Sequence, residues 1–178
     1  MSRYFAFLRA INVGGHTVKM DALRQLFESF GFSEVETFIA SGNVIFQSAA
    51  TEAAALELVI ASGLRGALGY EVPAFVRTGA ELAHIATYQP FPQSELEAST
   101  AFNIAFLRRE PDEPARQRLM ALTSEIDRFA VHERQVYWLC RKKQSESTFS
   151  NAVLEKALGM QSTLRGANTV VKMAARYA

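Results

Sequence analysis

The 178-residue sequence predicts an α+β fold of two ferredoxin-like (split βαβ) units, an internal duplication with antiparallel sheets and helices packed on one face. Two observations carry this expectation. Periodic segments in the first part follow the order strand, helix, strand, strand, helix, strand. A Pro-containing stretch then intervenes, after which the same order begins again.

Taken in order, Tyr4 to Leu8 is a short aromatic-rich run bounded by Arg9, which predicts a buried strand. Met20, Leu23, Leu26, Phe27 and Phe30 recur at helical spacing, and Gly31 closes that helix. Val35–Ile39 and Val44–Phe46 read as strands joined by a hairpin turn at Ser41-Gly42-Asn43. Thr51 is placed to cap a second helix with Leu56, Val59, Ile60 and Leu64 inward, ending at Gly69. Glu71 to Arg77 completes the first unit, residues 1–78. A helix from Gly79 to Thr87 and the segment Gln89-Pro90-Phe91-Pro92-Gln93 form a connector over 79–100, since prolines end helices. The second unit, 101–178, opens with a strand from Ala101 to Leu107 and a helix from Pro111 to Ser124, with Leu119, Leu122 and Ile126 inward. Phe129–Val131 and Val136–Cys140 form a hairpin turning at Glu133-Arg134. A helix from Asn151 to Leu158, an extended piece at Ser162–Leu164 and a terminal helix from Asn168 to Arg176 follow.

Composition narrows the class. Apolar residues make up 49% of the chain, enough for a packed core, and the net charge of +1 argues against a surface that is basic all over. Cys140 is the single cysteine, so no internal disulfide forms and a reducing compartment is compatible. The apolar run after Met1 is too short and too soon charged for a signal peptide, and no segment approaches the ~20 apolar residues of a membrane helix. The expectation is a soluble cytoplasmic protein without a membrane role.

In a split unit the loop after the first strand and the turn after the second lie at one edge of the sheet. That edge is therefore the candidate site. Gly14 and Gly15 let backbone N–H groups approach a ligand, Arg9 and Lys19 supply charge, and Asn12 and Asn43 supply amides. The helix starting near Met20 adds its partial positive end. Ser41-Gly42-Asn43 is also fully explained as turn chemistry, and two glycines in a loop can serve only a sharp bend. The loop from Asn12 to Lys19 exceeds the usual ~2–6 residues, and long loops are more often functional. It matches neither the dinucleotide fingerprint nor the phosphate-loop motif, so no cofactor is implied.

His16, His84 and His132 lack metal-ligand spacing, and one cysteine rules out a thiolate zinc set, so no metal is expected. Cys140 shares a strand face with Trp138 and reads as a buried structural thiol. Arg108-Arg109 and Arg141-Lys142-Lys143 are the dense basic clusters. The strand motif on which RNA-recognition modules stack bases is missing. Thr163 to Thr169, with Arg165 and Asn168, reads as a second anion cradle or as a cap on the last helix, through Asn168 or Thr169.

Leu8-Arg9-Ala10-Ile11-Asn12-Val13-Gly14-Gly15, with Met20, Leu23, Thr37 and Ser41-Gly42-Asn43-Val44, resembles the signature of the bacterial domain of unknown function 1697 family. Thr163-x-Arg165-x-x-Asn168-Thr169-Val170 is similar to that family's closing motif. The family usually carries glycine where Ala10 stands, and asparagine and tryptophan where Gly166 and Ala167 stand. The resemblance implies a two-part α+β fold of ferredoxin-like units and no assigned activity, and it favours a functional reading of Ser41-Gly42-Asn43.

The leading reading is a protein that binds a small anionic or phosphorylated ligand through Arg9, Asn12, Gly14, Gly15, Lys19, Ser41, Gly42 and Asn43, with Arg165 and Asn168 as further candidates. A nucleic-acid module using the basic clusters is the alternative, and an enzyme using His16 or Ser41 in the same pocket a third. A homo-oligomer paired through exposed sheet edges completes the set.

Overall fold

A computed structural model describes residues 1–178, Ser41 by its backbone alone. The chain divides into two compact units, Met1–Ala86 with Val171–Ala178, and Thr87–Val170. The helix expected in the connector thus gives its residues up to Ala86 to the first unit, as does the end of the terminal helix.

The first unit contains β1 (Ser2–Leu8), α1 (Met20–Ser29), β2 (Ser33–Phe38), β3 (Ala40–Ser48), α2 (Ala53–Leu68), β4 (Ala74–Thr78) and α3 (Gly79–Thr87). Its antiparallel sheet has the order β2-β3-β1-β4. The second unit contains α4 (Gln93–Glu97), β5 (Ala101–Phe106), α5 (Glu113–Met120), β6 (Asp127–His132), β7 (Gln135–Cys140), α6 (Asn151–Leu158) and β8 (Thr163–Gly166), and leads into α7 (Ala167–Tyr177). Its sheet order, β6-β7-β5-β8, repeats the first position for position. Both are the ferredoxin-like split unit.

The repeat extends to residues. Ala6-Phe7-Leu8-Arg9 ends the first strand of one unit and Ala105-Phe106-Leu107-Arg108 that of the other. Opposite Phe7 stands Asn43, and opposite Phe106 stands Gln135, both amides buried to 2% exposure. Arg77 and Arg165 occupy matching places on the fourth strands, and each donates from Nη1 to the carbonyl just before it, Val76 O and Leu164 O, at 2.9 Å.

In the first unit Tyr4, Ala6, Leu8, Val44 and Phe46 pack with Leu23 and Phe27 of α1 and Leu56, Ile60 and Leu64 of α2. Gly63 lets α2 lie close to α1, since a Cβ there would sit 2.5 Å from the Phe30 ring. The alternate residues Phe5, Phe7, Ile45 and Phe75, which a strand turns to the opposite face, are also buried. Burial on both faces explains why β1 reads as a continuous apolar run. In the second unit the core gathers Leu119, Trp138, Phe149, Leu154 and Leu158. Burial also pushes the Cys140 thiol above its usual range, which suits a structural role.

A buried ion pair closes the free edge of β4. Glu57 on α2 accepts from Val76 N through Oε1 at 2.9 Å, and Arg77 donates to Val76 O. The Arg77 and Glu57 side chains are 0% and 4% exposed and lie 4.0 Å apart. Together they satisfy the N–H and C=O of Val76, backbone groups of the kind an edge strand leaves open.

Several expectations are corrected. The reversal between β2 and β3 occurs at Ile39, with φ 66°, and not at Ser41-Gly42-Asn43, which lies inside β3. Pairing of Asn43 with Phe7 carries β3 past the local turn signal. Glu52 replaces Thr51 at the start of α2, with no side-chain cap. Glu57 faces inward there, while Val59 is 46% exposed. Met20 and Leu122, expected inside, are exposed. β4 begins at Ala74 and not Glu71, and α5 ends at Met120. The short helix α4 forms directly after Pro92 in the expected connector. α7 starts at Ala167, so Asn168 and Thr169 are residues of its first turn and not its cap. Among the described residues no helix is long and apolar enough to cross a membrane.

Candidate functional site

The topology places the β1–α1 loop beside the start of β3, because β1 and β3 pair antiparallel with Phe7 opposite Asn43. The loop leaves β1 at Arg9, whose N–H donates to Pro73 O at 2.9 Å. Ile11 turns inward, and its carbonyl accepts from the Tyr70 hydroxyl at 2.7 Å. Val13 O accepts from His16 N at 3.2 Å, closing a tight turn. Its two central residues, Gly14 and Gly15, have φ of 65° and 83°. Both values are positive, as a type I′ turn requires, so glycine is needed at both places. The His16 ring stacks on Tyr70 with centroids 3.8 Å apart. Asn12 Oδ1 accepts from Val18 N at 2.8 Å and so ties the far end of the loop to its beginning.

Asn12 through Thr17 and Lys19 are exposed, and Arg9 is half-buried. Lys19 stands at the N-cap position of α1 without a side-chain cap. The edge thus presents an ordered loop flanked by two cationic residues, next to a helix start. Two expected ligand groups have structural roles instead. The Asn43 amide is buried and donates to Phe38 O at 3.1 Å, bracing the Ile39 turn. The Asn12 carbonyl is engaged within the loop. Gly42 is half-buried in β3, and the Ser41 side chain lies outside the described residues. Tyr70 is the residue that sequence reasoning missed. It sits far along the chain, and only its aromatic character at the end of α2 hinted at a partner.

Arg165 and Asn168 belong to the second unit. Arg165 donates from Nη1 to Thr163 Oγ1 at 2.7 Å, and desolvation lowers its pKa to about 10. It keeps its charge at neutral pH. Asn168 is exposed at the start of α7. The matching loop of the second unit, residues 107–112, lacks glycine and is shorter than the first unit's. Arg108-Arg109 and Arg141-Lys142-Lys143 are exposed. The helix-free sheet face on which RNA-recognition modules stack bases is buried in both units, at Phe5 and Phe7 in one and at Phe106 and Tyr137 in the other.

Ala10 has φ 56°, a left-handed conformation that costs a Cβ-bearing residue about 1 kcal/mol more than glycine. Ala10→Gly is therefore expected to raise stability by up to about 1 kcal/mol, and Gly15→Ala to lower it by a similar amount. Urea denaturation midpoints of the two variants, moving in opposite directions, check this.

The conserved bacterial protein SP0830 from Streptococcus pneumoniae has a similar structure, with a TM-score of 0.74 at 21% sequence identity over 99% of this chain and 98% of that one. At that identity the likeness concerns the fold. No curated protein matches the sequence significantly. The model of the DUF1697 family, proteins of unknown function, matches residues 1–137, and the chain belongs to that family.

Proposed function

We propose that the protein binds a small anionic or phosphorylated ligand on the Arg9–Lys19 loop of its first unit. One observation carries the reading: the loop is held in a defined shape by Asn12, Tyr70 and the Val13–His16 turn, while its own side chains from Asn12 to Thr17 are exposed. Ile11 anchors the loop in the core, and holding the exposed remainder in one shape lowers the ordering cost of binding a ligand there. In this reading Arg9 and Lys19 attract the anion and the backbone around Gly14 and Gly15 contacts it. Asn12 and Asn43 brace the edge, and Ser41 and Gly42 border it.

The test is thermal unfolding of the intact chain with inorganic phosphate, pyrophosphate and citrate, repeated on Arg9→Ala and Lys19→Ala. A ligand that prefers the native state raises the melting temperature with concentration. The expected result is such a rise with at least one probe, most of it lost in both variants. A flat response to all three, or an equal rise in the variants, rejects the reading.

A further inference from the structure

The two units differ at one matching place. In the first, Val76 N on the outer edge of β4 donates to Glu57 Oε1 at 2.9 Å, and Arg77 Nη1 lies 4.0 Å from the same oxygen. In the second, Leu164 stands opposite Ala105 as Val76 stands opposite Ala6. Leu107 N donates to Arg134 O, on the β7 side of β5. Residue pairs of an antiparallel ladder alternate between bonded and unbonded, so Ala105 also faces β7 and Leu164 turns its N–H and C=O outward. Arg165 Nη1 donates to that carbonyl at 2.9 Å, as Arg77 does to Val76 O. Among the described residues no group accepts from Leu164 N.

The cause is a shorter helix. α2 has 16 residues before Gly69, whereas α6 has 8 before Gly159. Ser147, which precedes Gly159 by the same interval as Glu57 precedes Gly69, donates its hydroxyl to Asp127 Oδ2 at 2.7 Å instead. At the start of the shortened helix a cavity of about 480 Å³ opens, lined by Gln144, Ser145, Phe149, Ser150, Asn151 and Leu164. That volume suits a small molecule. Its walls combine the Phe149 ring and Leu164 with neutral polar groups, and no acidic side chain lines it. Arg165 keeps its charge beside this edge at neutral pH, since burial lowers its pKa only to about 10.

We infer that a small monocarboxylate with an apolar body binds in this cavity, its carboxylate taking in the second unit the place that Glu57 fills in the first. One carboxylate oxygen accepts from Leu164 N, the charge faces Arg165, and the body lies against Phe149 and Leu164. A backbone N–H bonds a charged acceptor about twice as strongly as a neutral one, so the acid is preferred over its amide.

Amide-resolved nuclear magnetic resonance of the full chain, titrated with phenylacetate, reads the Leu164 N–H directly. The expected result is a saturable shift of that signal. Affinity should be at least about tenfold weaker for phenylacetamide, which lacks the charge, and for acetate, which lacks the body. Leu164→Pro removes the donor and no ladder bond, because an edge strand tolerates proline where the N–H points outward. It should weaken binding by a similar factor, read at the Asn151 amide. Ser145→Trp keeps the donor and fills the cavity from an exposed position, so it should weaken phenylacetate while the fold persists. The Gly14 and Gly15 amides report the loop of the first unit separately. An unmoved Leu164 N–H at ~10 mM phenylacetate, well above typical metabolite-level affinities, overturns the inference. So do equal affinities for phenylacetate and either control probe, or for the parent and both variants.

Discussion

Replacing Glu57 by alanine should lower the stability of the first unit by about 3–5 kcal/mol, the range for breaking a buried ion pair by removing one partner. The carboxylate faces Arg77 in a site where both side chains are almost fully buried, and it also accepts from Val76 N. Its loss leaves a backbone donor unsatisfied and takes away the carboxylate opposite a guanidinium that is 0% exposed. Against total stabilities of roughly 5–15 kcal/mol this is a large fraction. Glu57→Gln keeps an acceptor for Val76 and loses only the charge, so its cost should fall between the parent and the alanine variant. Denaturation followed by far-ultraviolet circular dichroism measures both. A change below about 1 kcal/mol for Glu57→Ala would show that the pair contributes no more than an exposed one.

The second large effect lies at Asp127. Its two carboxylate oxygens accept from Trp138 Nε1 at 2.8 Å and from the Ser147 hydroxyl at 2.7 Å, and the residue is 5% exposed. Hydrogen bonds to a charged group contribute about 1.5–3 kcal/mol each. Asp127→Ala should therefore cost about 3 kcal/mol or more, with the indole N–H left in the core without its acceptor. Asp127→Asn retains an oxygen for Trp138 and should cost less. Trp138 is the chain's single tryptophan, so its fluorescence reports unfolding of the second unit directly. Equal midpoints for the parent and Asp127→Ala would refute this account.

Much of the fold was legible in the residues. β1, α1, the β6–β7 hairpin and α6 combine clear periodicity with turn or cap residues whose conformations the structure shows, such as Gly159 with φ 68° and Glu133 with φ 52°. The turn at Ile39 was not legible. A β-branched residue with positive φ is rare, while Ser-Gly-Asn is a strong local signal, and only the long-range register with β1 overrides it. Glu57 was hidden for a similar reason: charged residues on helices default to solvent, and its partner lies on a different element. At the candidate site, the glycine pair and its charged flanks were readable from type and spacing. The roles of Asn12 and Asn43 as braces, and of Tyr70 as the post against which the loop rests, depend on contacts that no local pattern records. The repeated Ala-Phe-Leu-Arg was present throughout, but it becomes meaningful only when matching sheet orders align the two strands.

The sealed edge of β4 has a consequence for how the molecule behaves in a crowded solution. At Val76 the outward-pointing backbone groups are already taken by Glu57 and Arg77. The opposite border, β2, is broken by two register shifts and by Glu34 in a left-handed conformation. Flat, unpaired borders recruit other chains into growing cross-β aggregates, and these two are respectively capped and crooked. Both borders of the first unit's sheet are thus poor templates for the addition of a further strand, one through two side chains and the other through its irregular backbone.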